Sequence, residues 1–81
     1  MLKLPERIDT SNAGEWEQIL LTQKDTQLDA SALQYISSAG LRVLMKLQKT
    51  AGQVHICNVS EEVYEILELT GFASFLDVEE A

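Results

Sequence analysis

Residues 33–45 read LQYISSAGLRVLM: an apolar run on each side of two serines and a small-residue pair. How this junction is read decides the fold. After the serines, Gly40, Val43, Leu44, Leu47 and Ala51 recur at helical spacing, with Arg42, Lys46 and Lys49 on the opposite side. That is the pattern of a helix with one buried stripe. Lys49 near its end and Gly52 just beyond it are stop signals. Ahead of the serines, LDASALQYI (28–36) is the strand candidate, although Ala and Gln are weak strand formers. Helical patterns on both sides favour a strand there, because strands alternating with helices imply βαβ units.

Working outward, LKLPERI (2–8) reads as one short strand, placed at a sheet edge because Pro5 has no N–H for a ladder bond. DTSNAGEWEQILLTQ (9–23) reads as a helix with Ala13, Trp16, Ile19 and Leu20 on one face and Asn12 with Glu15 as a capping pair. Gly14 weakens it by ~1 kcal/mol relative to Ala, so it needs tertiary packing. KDTQ (24–27) is a turn. QVHICNV (53–59) is a strand apolar on both faces, suited to a central position. SEEVYEILELTG (60–71) is a helix capped by Ser60, with Glu61 and Glu62 in its first turn, a buried stripe of Val63, Ile66 and Leu67, and Gly71 as its stop. FASFLDV (72–78) supplies a last short strand, and DVEEA (77–81) a fraying terminus. The order β-α-β-α-β-α-(β) describes a small α/β fold: a single-layer, largely parallel sheet packed by about three helices.

Length and composition bound the function. Eighty-one residues suit one domain, 1–81, with a modest core. At 46% apolar and 23% charged the balance is that of an ordinary globular chain. No apolar run approaches the ~20 residues that cross a bilayer, and MLKLPERID turns polar too early for a signal peptide, so a cytoplasmic chain without membrane insertion is expected. A net charge of −7 argues against nucleic acid and for a basic protein surface as partner. The single Cys57 excludes an internal disulfide and reads as core packing.

A serine between strand and helix ordinarily caps the helix. Three features of Ser37 and Ser38 argue for more: two hydroxyls exceed what one cap needs, Ala39 and Gly40 leave the junction sterically open, and Arg42 stands one turn after Ser38. A phosphate on Ser38 would meet the free N–H groups of the helix start. Catalysis is not expected. SSAG lacks the first glycine of a nucleophile elbow, the only histidine, His55, reads as a satisfied strand residue, and His55 with Cys57 is too small a set for a metal. No cofactor is implied.

Three stretches together resemble the STAS family, named for sulfate transporters and anti-sigma-factor antagonists. ERIDTSNAGEW (6–16) is similar to its G-x-L-D strand end and first helix. LDASALQYISSAGLRVLMKLQKTAG (28–52) is similar to its central strand, phosphoserine loop and second helix. VHICNVSEEVYEILELTGF (54–72) is similar to its later strand and third helix, with the L-T-G ending. The family's leading strand has no counterpart. Glu6 stands where Gly is usual, Ser37 where Asp is common, and Ala39 replaces the second serine of D-S-S-G.

The resemblance implies an anti-sigma-factor antagonist working as a partner switch. The unphosphorylated form would bind an anti-sigma factor with a histidine-kinase-like serine kinase fold, and a serine phosphatase would reset it. Gly40 two residues on places the phosphoacceptor at Ser38, with Ser37 as the alternative. The binding face would gather Asp9, Thr10, Ser11 and Asn12 with Ser37, Ser38, Ala39, Gly40, Leu41 and Arg42. Gly40 would permit close approach of the partner, and Arg42 would contact the phosphate or the partner. The alternative is a constitutive scaffold, or a small subunit of a multiprotein or transport assembly, in which Ser38 is only a cap.

Overall fold

Strand and helix alternate from end to end in the structure, a computed structural model that describes residues 1–81. The elements are β1 (Leu2–Lys3), β2 (Arg7–Ile8), α1 (Ala13–Gln23), β3 (Gln27–Asp29), β4 (Tyr35–Ile36), α2 (Ser38–Ala51), β5 (His55–Val59), α3 (Glu61–Leu69), a 3₁₀ turn (Phe72–Ser74) and β6 (Asp77–Glu80). Every strand pair is parallel. One sheet runs β1-β3-β5-β6, and a two-stranded sheet pairs β2 with β4. No helix is long and apolar enough to cross a membrane.

Two expected single strands are each broken in two. LKLPERI becomes β1 and β2, interrupted around Pro5, and LDASALQYI becomes β3 and β4, interrupted by a turn in which Leu33 N donates to Ala30 O. Leu2 pairs with Leu28 but Ile8 pairs with Ile36, so the second chain carries two more residues than the first between the ladders. Leu4 and Leu33, in the two interruptions, are buried, so burying apolar side chains outweighs ladder continuity there. Residues 77–80, expected to fray, instead form β6 against β5.

Successive neighbours in the sheet are connected in chain order, and right-handed crossovers then place all three helices on one face. Leu28, Ile56 and Val59 point to that face and are buried with Val43, Leu44, Leu47, Val63 and Leu67 in a core of 18 residues. The other face bears Lys3, Gln27, Asp29, His55 and Asp77. It is polar and open, which is uncommon for a parallel sheet. The expectation of a β5 apolar on both faces is therefore corrected. β5 is central, but its second face holds His55 and Cys57, with Met1 Sδ 3.5 Å from Cys57 Sγ.

Helix limits follow the sequence signals in two of three cases. Ser37 Oγ accepts from Gly40 N at 3.3 Å and Ser60 Oγ from Val63 N at 3.2 Å, capping α2 and α3. α2 stops at Gly52, whose φ of 106° lies where only glycine is unstrained. The Asn12–Glu15 cap does not form; the Asn12 amide turns back onto the chain before it.

Candidate functional site

The C-terminal ends of β2 and β4 lie side by side; β4 leads through Ser37 into α2, and β2 leads through the turn 9–12 into α1. Ser37 N donates to Ile8 O at 2.8 Å, which fixes the segment 9–12 beside the serine junction. The structure thus brings together the two groups that the sequence places 28 residues apart.

Asp9 organises the first segment. Its Oδ1 accepts from Ser11 N at 2.9 Å and from Ser11 Oγ at 2.6 Å. Asn12 closes the turn from the other side: its Oδ1 accepts from Asp9 N and its Nδ2 donates to Arg7 O, both at 2.8 Å. Asn12 is half-buried and committed to these bonds, whereas Thr10 and Ser11 are exposed. The Ser11 hydroxyl, then the Ser11 N–H, and less strongly Arg7, hold the Asp9 carboxyl below its ordinary range. Asp9 is therefore a fixed negative charge at neutral pH.

The two serines divide their roles. Ser37 is the N-cap, half-buried, with its hydroxyl engaged by Gly40 N. Ser38 is the first helical residue, exposed, and its hydroxyl has no partner within the chain. It stands at the positive end of a 14-residue helix whose first N–H groups lack intrahelical acceptors. Arg42, one turn on, is exposed and in no ion pair, in contrast to Lys46, which binds Glu17 at 2.9 Å.

Gly40 and Leu41 do not lie where the sequence reading puts them. Both are buried. A Cβ on Gly40 would stand 2.7 Å from Ile36 Cγ1, 2.8 Å from Ile8 Cγ2 and 3.1 Å from Ile8 O. The absent side chain lets α2 sit down on β2 and β4; it does not admit a partner. Leu41, 3% exposed, belongs to the core. Ala39 is half-buried against the same core. The surface at the junction is therefore Asp9, Thr10, Ser11, Ser37, Ser38 and Arg42.

Sequence reasoning missed two residues on this surface. Arg7 and Tyr35 face each other across the β2–β4 ladder, the guanidinium 4.8 Å from the ring centroid, and Arg7 Nε reaches Asp9 Oδ2 at 3.4 Å. Both are exposed. An arginine stacked on an open tyrosine is a common anchor at protein interfaces. Only the strand register pairs them, and no local signal announces it.

His55, the only histidine, opens β5 beside Gln27 at the start of β3, whereas Ser37 and Ser38 follow the end of β4. No group of three or more His, Cys, Asp or Glu side chains is placed to hold a metal.

The model of the STAS domain family matches residues 1–81. The chain belongs to the STAS family. A Bordetella bronchiseptica protein, which bears the provisional name of anti-sigma factor antagonist BtrV, is 35% identical over 80 residues; the match covers 88% of this chain and 69% of that protein. A crystal structure from Thermotoga maritima, provisionally described as an anti-sigma factor antagonist, superposes with a TM-score of 0.78 at 17% identity. It covers 96% of this chain and 76% of the other. This STAS chain shares the α/β architecture of that structure, with three helices on a parallel sheet.

Proposed function

We propose that this STAS chain is a non-catalytic anti-sigma factor antagonist, a protein-binding switch set by phosphorylation of Ser38. The observation that carries the reading is the unequal use of the two serines. Ser37 is engaged in holding α2, and Ser38 is free at the helix start with an unpaired Arg42 one turn away. The relationship to the Bordetella protein supports the choice of partner class.

The physical consequence of modification is asymmetric. A kinase-type anti-sigma factor would transfer the terminal phosphoryl group of ATP to Ser38 Oγ, releasing ADP and the hydroxyl proton, and a serine phosphatase would hydrolyse it. Within the domain the dianion meets free N–H groups, the helix dipole and Arg42; the dipole contributes about 0.3–1 kcal/mol. The fold therefore tolerates both states. A partner fitted over Ser38 would have to desolvate the dianion, which costs several kcal/mol without a matching cation. At about 1.4 kcal/mol per tenfold in affinity, that releases the partner.

The test is site-mapped mass spectrometry after incubation with ATP and the histidine-kinase-like anti-sigma proteins of the same cell, with binding measured for Ser38→Ala and Ser38→Asp. One phosphoryl group on Ser38, binding by the alanine variant and none by the aspartate variant is the expected result. Modification at Ser37 transfers the switch to that residue and overturns the assignment to Ser38. Equal binding by both variants, without modification, makes the junction a structural cap.

A further inference from the structure

Charge is distributed unevenly in this chain. All six Lys and Arg residues lie at or before Lys49, balanced by six carboxylates, and the other seven of the thirteen carboxylates lie beyond it with no Lys or Arg. The entire −7 therefore belongs to β5, α3 and β6. His55 is the only other basic side chain there, and it is bound to Asp77 at 2.8 Å and Glu79 at 3.6 Å.

β6 is the last strand of its sheet, and its outer edge has no neighbour. In a paired strand, alternate backbone groups point away from the partner, so this edge presents free donors and acceptors. Beside it, α3 and β6 enclose a groove of about 460 Å³ lined by Glu61, Tyr64, Glu65, Glu68, Leu69 and Glu80. Leu69 is 80% exposed, the most exposed large apolar side chain in the chain. An open edge strand flanked by a helix, with an apolar contact between them, is the arrangement by which a domain takes an extended peptide as an added strand.

We infer that the β6 edge and the α3 groove form a second docking surface that takes a basic protein segment in extended conformation. The segment would pair with β6 through its backbone, rest an apolar side chain on Leu69 and Tyr64, and direct Lys or Arg at Glu65, Glu68 and Glu80. Charge selects this occupant. A second copy would bring its own Asp77, Glu79 and Glu80 against the same three residues, and like charges on an edge oppose such self-pairing. The surface lies at the far edge of the sheet from β1 and is independent of the Ser38 reading.

The probe is a short extended peptide whose lysines and a valine occupy one strand face, with threonines between them (Lys-Thr-Val-Thr-Lys), titrated into the full chain and followed by fluorescence anisotropy and amide NMR shifts. Shift changes should concentrate in residues 77–80 and around Leu69. Methylating alternate peptide amides keeps its charge but removes the ladder bonds, and should weaken binding about tenfold. Glu65→Lys/Glu68→Lys should weaken it by more than about tenfold, since like charges then face each other. Absence of binding, shifts centred on the Ser38 junction, or equal affinity for the methylated peptide would each overturn the inference.

Discussion

Substituting Gly40 tests the packing on which the serine junction depends. A methyl group at residue 40 would stand below 3.0 Å from both Ile36 and Ile8, each 1% exposed, and 3.1 Å from the carbonyl that accepts the Ser37 N–H. Neither isoleucine has open space to move into, so α2 must lift from the ladder. Overpacking of this kind costs about 1–3 kcal/mol, while alanine in place of glycine returns up to about 1 kcal/mol of helix propensity. The net expectation for Gly40→Ala is a loss of about 1–2 kcal/mol, or about 5–15 °C in Tm for a domain of this size. Thermal unfolding followed by circular dichroism measures it. Gly14→Ala is the control, because nothing lies within 4 Å of its Cβ position; it should gain about 0.4–1 kcal/mol. Combining Gly40→Ala with Ile36→Ala should cost less than the sum of the two single changes, since the second removes one of the two obstructing atoms. A Gly40→Ala protein as stable as Gly14→Ala would refute the close approach of α2 to β2 and β4.

The remaining predictions concern the polar groups. Ser37→Ala should lose about 0.5–2 kcal/mol in urea unfolding, as expected for a removed N-cap, whereas Ser38→Ala should stay within about ±0.5 kcal/mol; equal losses would mean that both hydroxyls are structural. The hydrogen bond that protonated His55 donates to Asp77 raises His55 above its ordinary 6.5, so its contribution to stability is complete below that value and is lost as pH rises through the raised folded value. Asp77→Asn should flatten that dependence, measured by unfolding across the neutral range; an unchanged pH profile would remove His55 from it. Asp9 runs the other way: its lowered carboxyl contributes above its ordinary 3.8 and loses the contribution as pH falls through the depressed folded value. Ser11→Ala should move the Asp9 titration back upward in a carboxyl NMR titration, and no movement would show that Ser11 is not the dominant cause.

Local signals set the three helices and the limits of two of them, α2 and α3. Helical spacing at Gly40, Val43, Leu44 and Leu47, the caps at Ser37 and Ser60, and the stops at Gly52 and Gly71 all act within about a turn of chain, and local physics suffices for them. The three motifs in order were enough for the family. What those residues face depends on segments far away along the chain. The breaks within 2–8 and 28–36 follow from core positions for Leu4 and Leu33 that neither segment specifies alone. Residues 77–80 look like a polar tail until β5 supplies a ladder, because a strand's hydrogen bonds belong to two segments. Gly40 reads as an open place in the sequence and is a closed one in the fold, since Ile8, 32 positions earlier, fills the space above it. The same long-range pairing separates Ser38 from Ser37: identical neighbours in the chain, one hydroxyl is held by the helix it caps and the other is left to solvent.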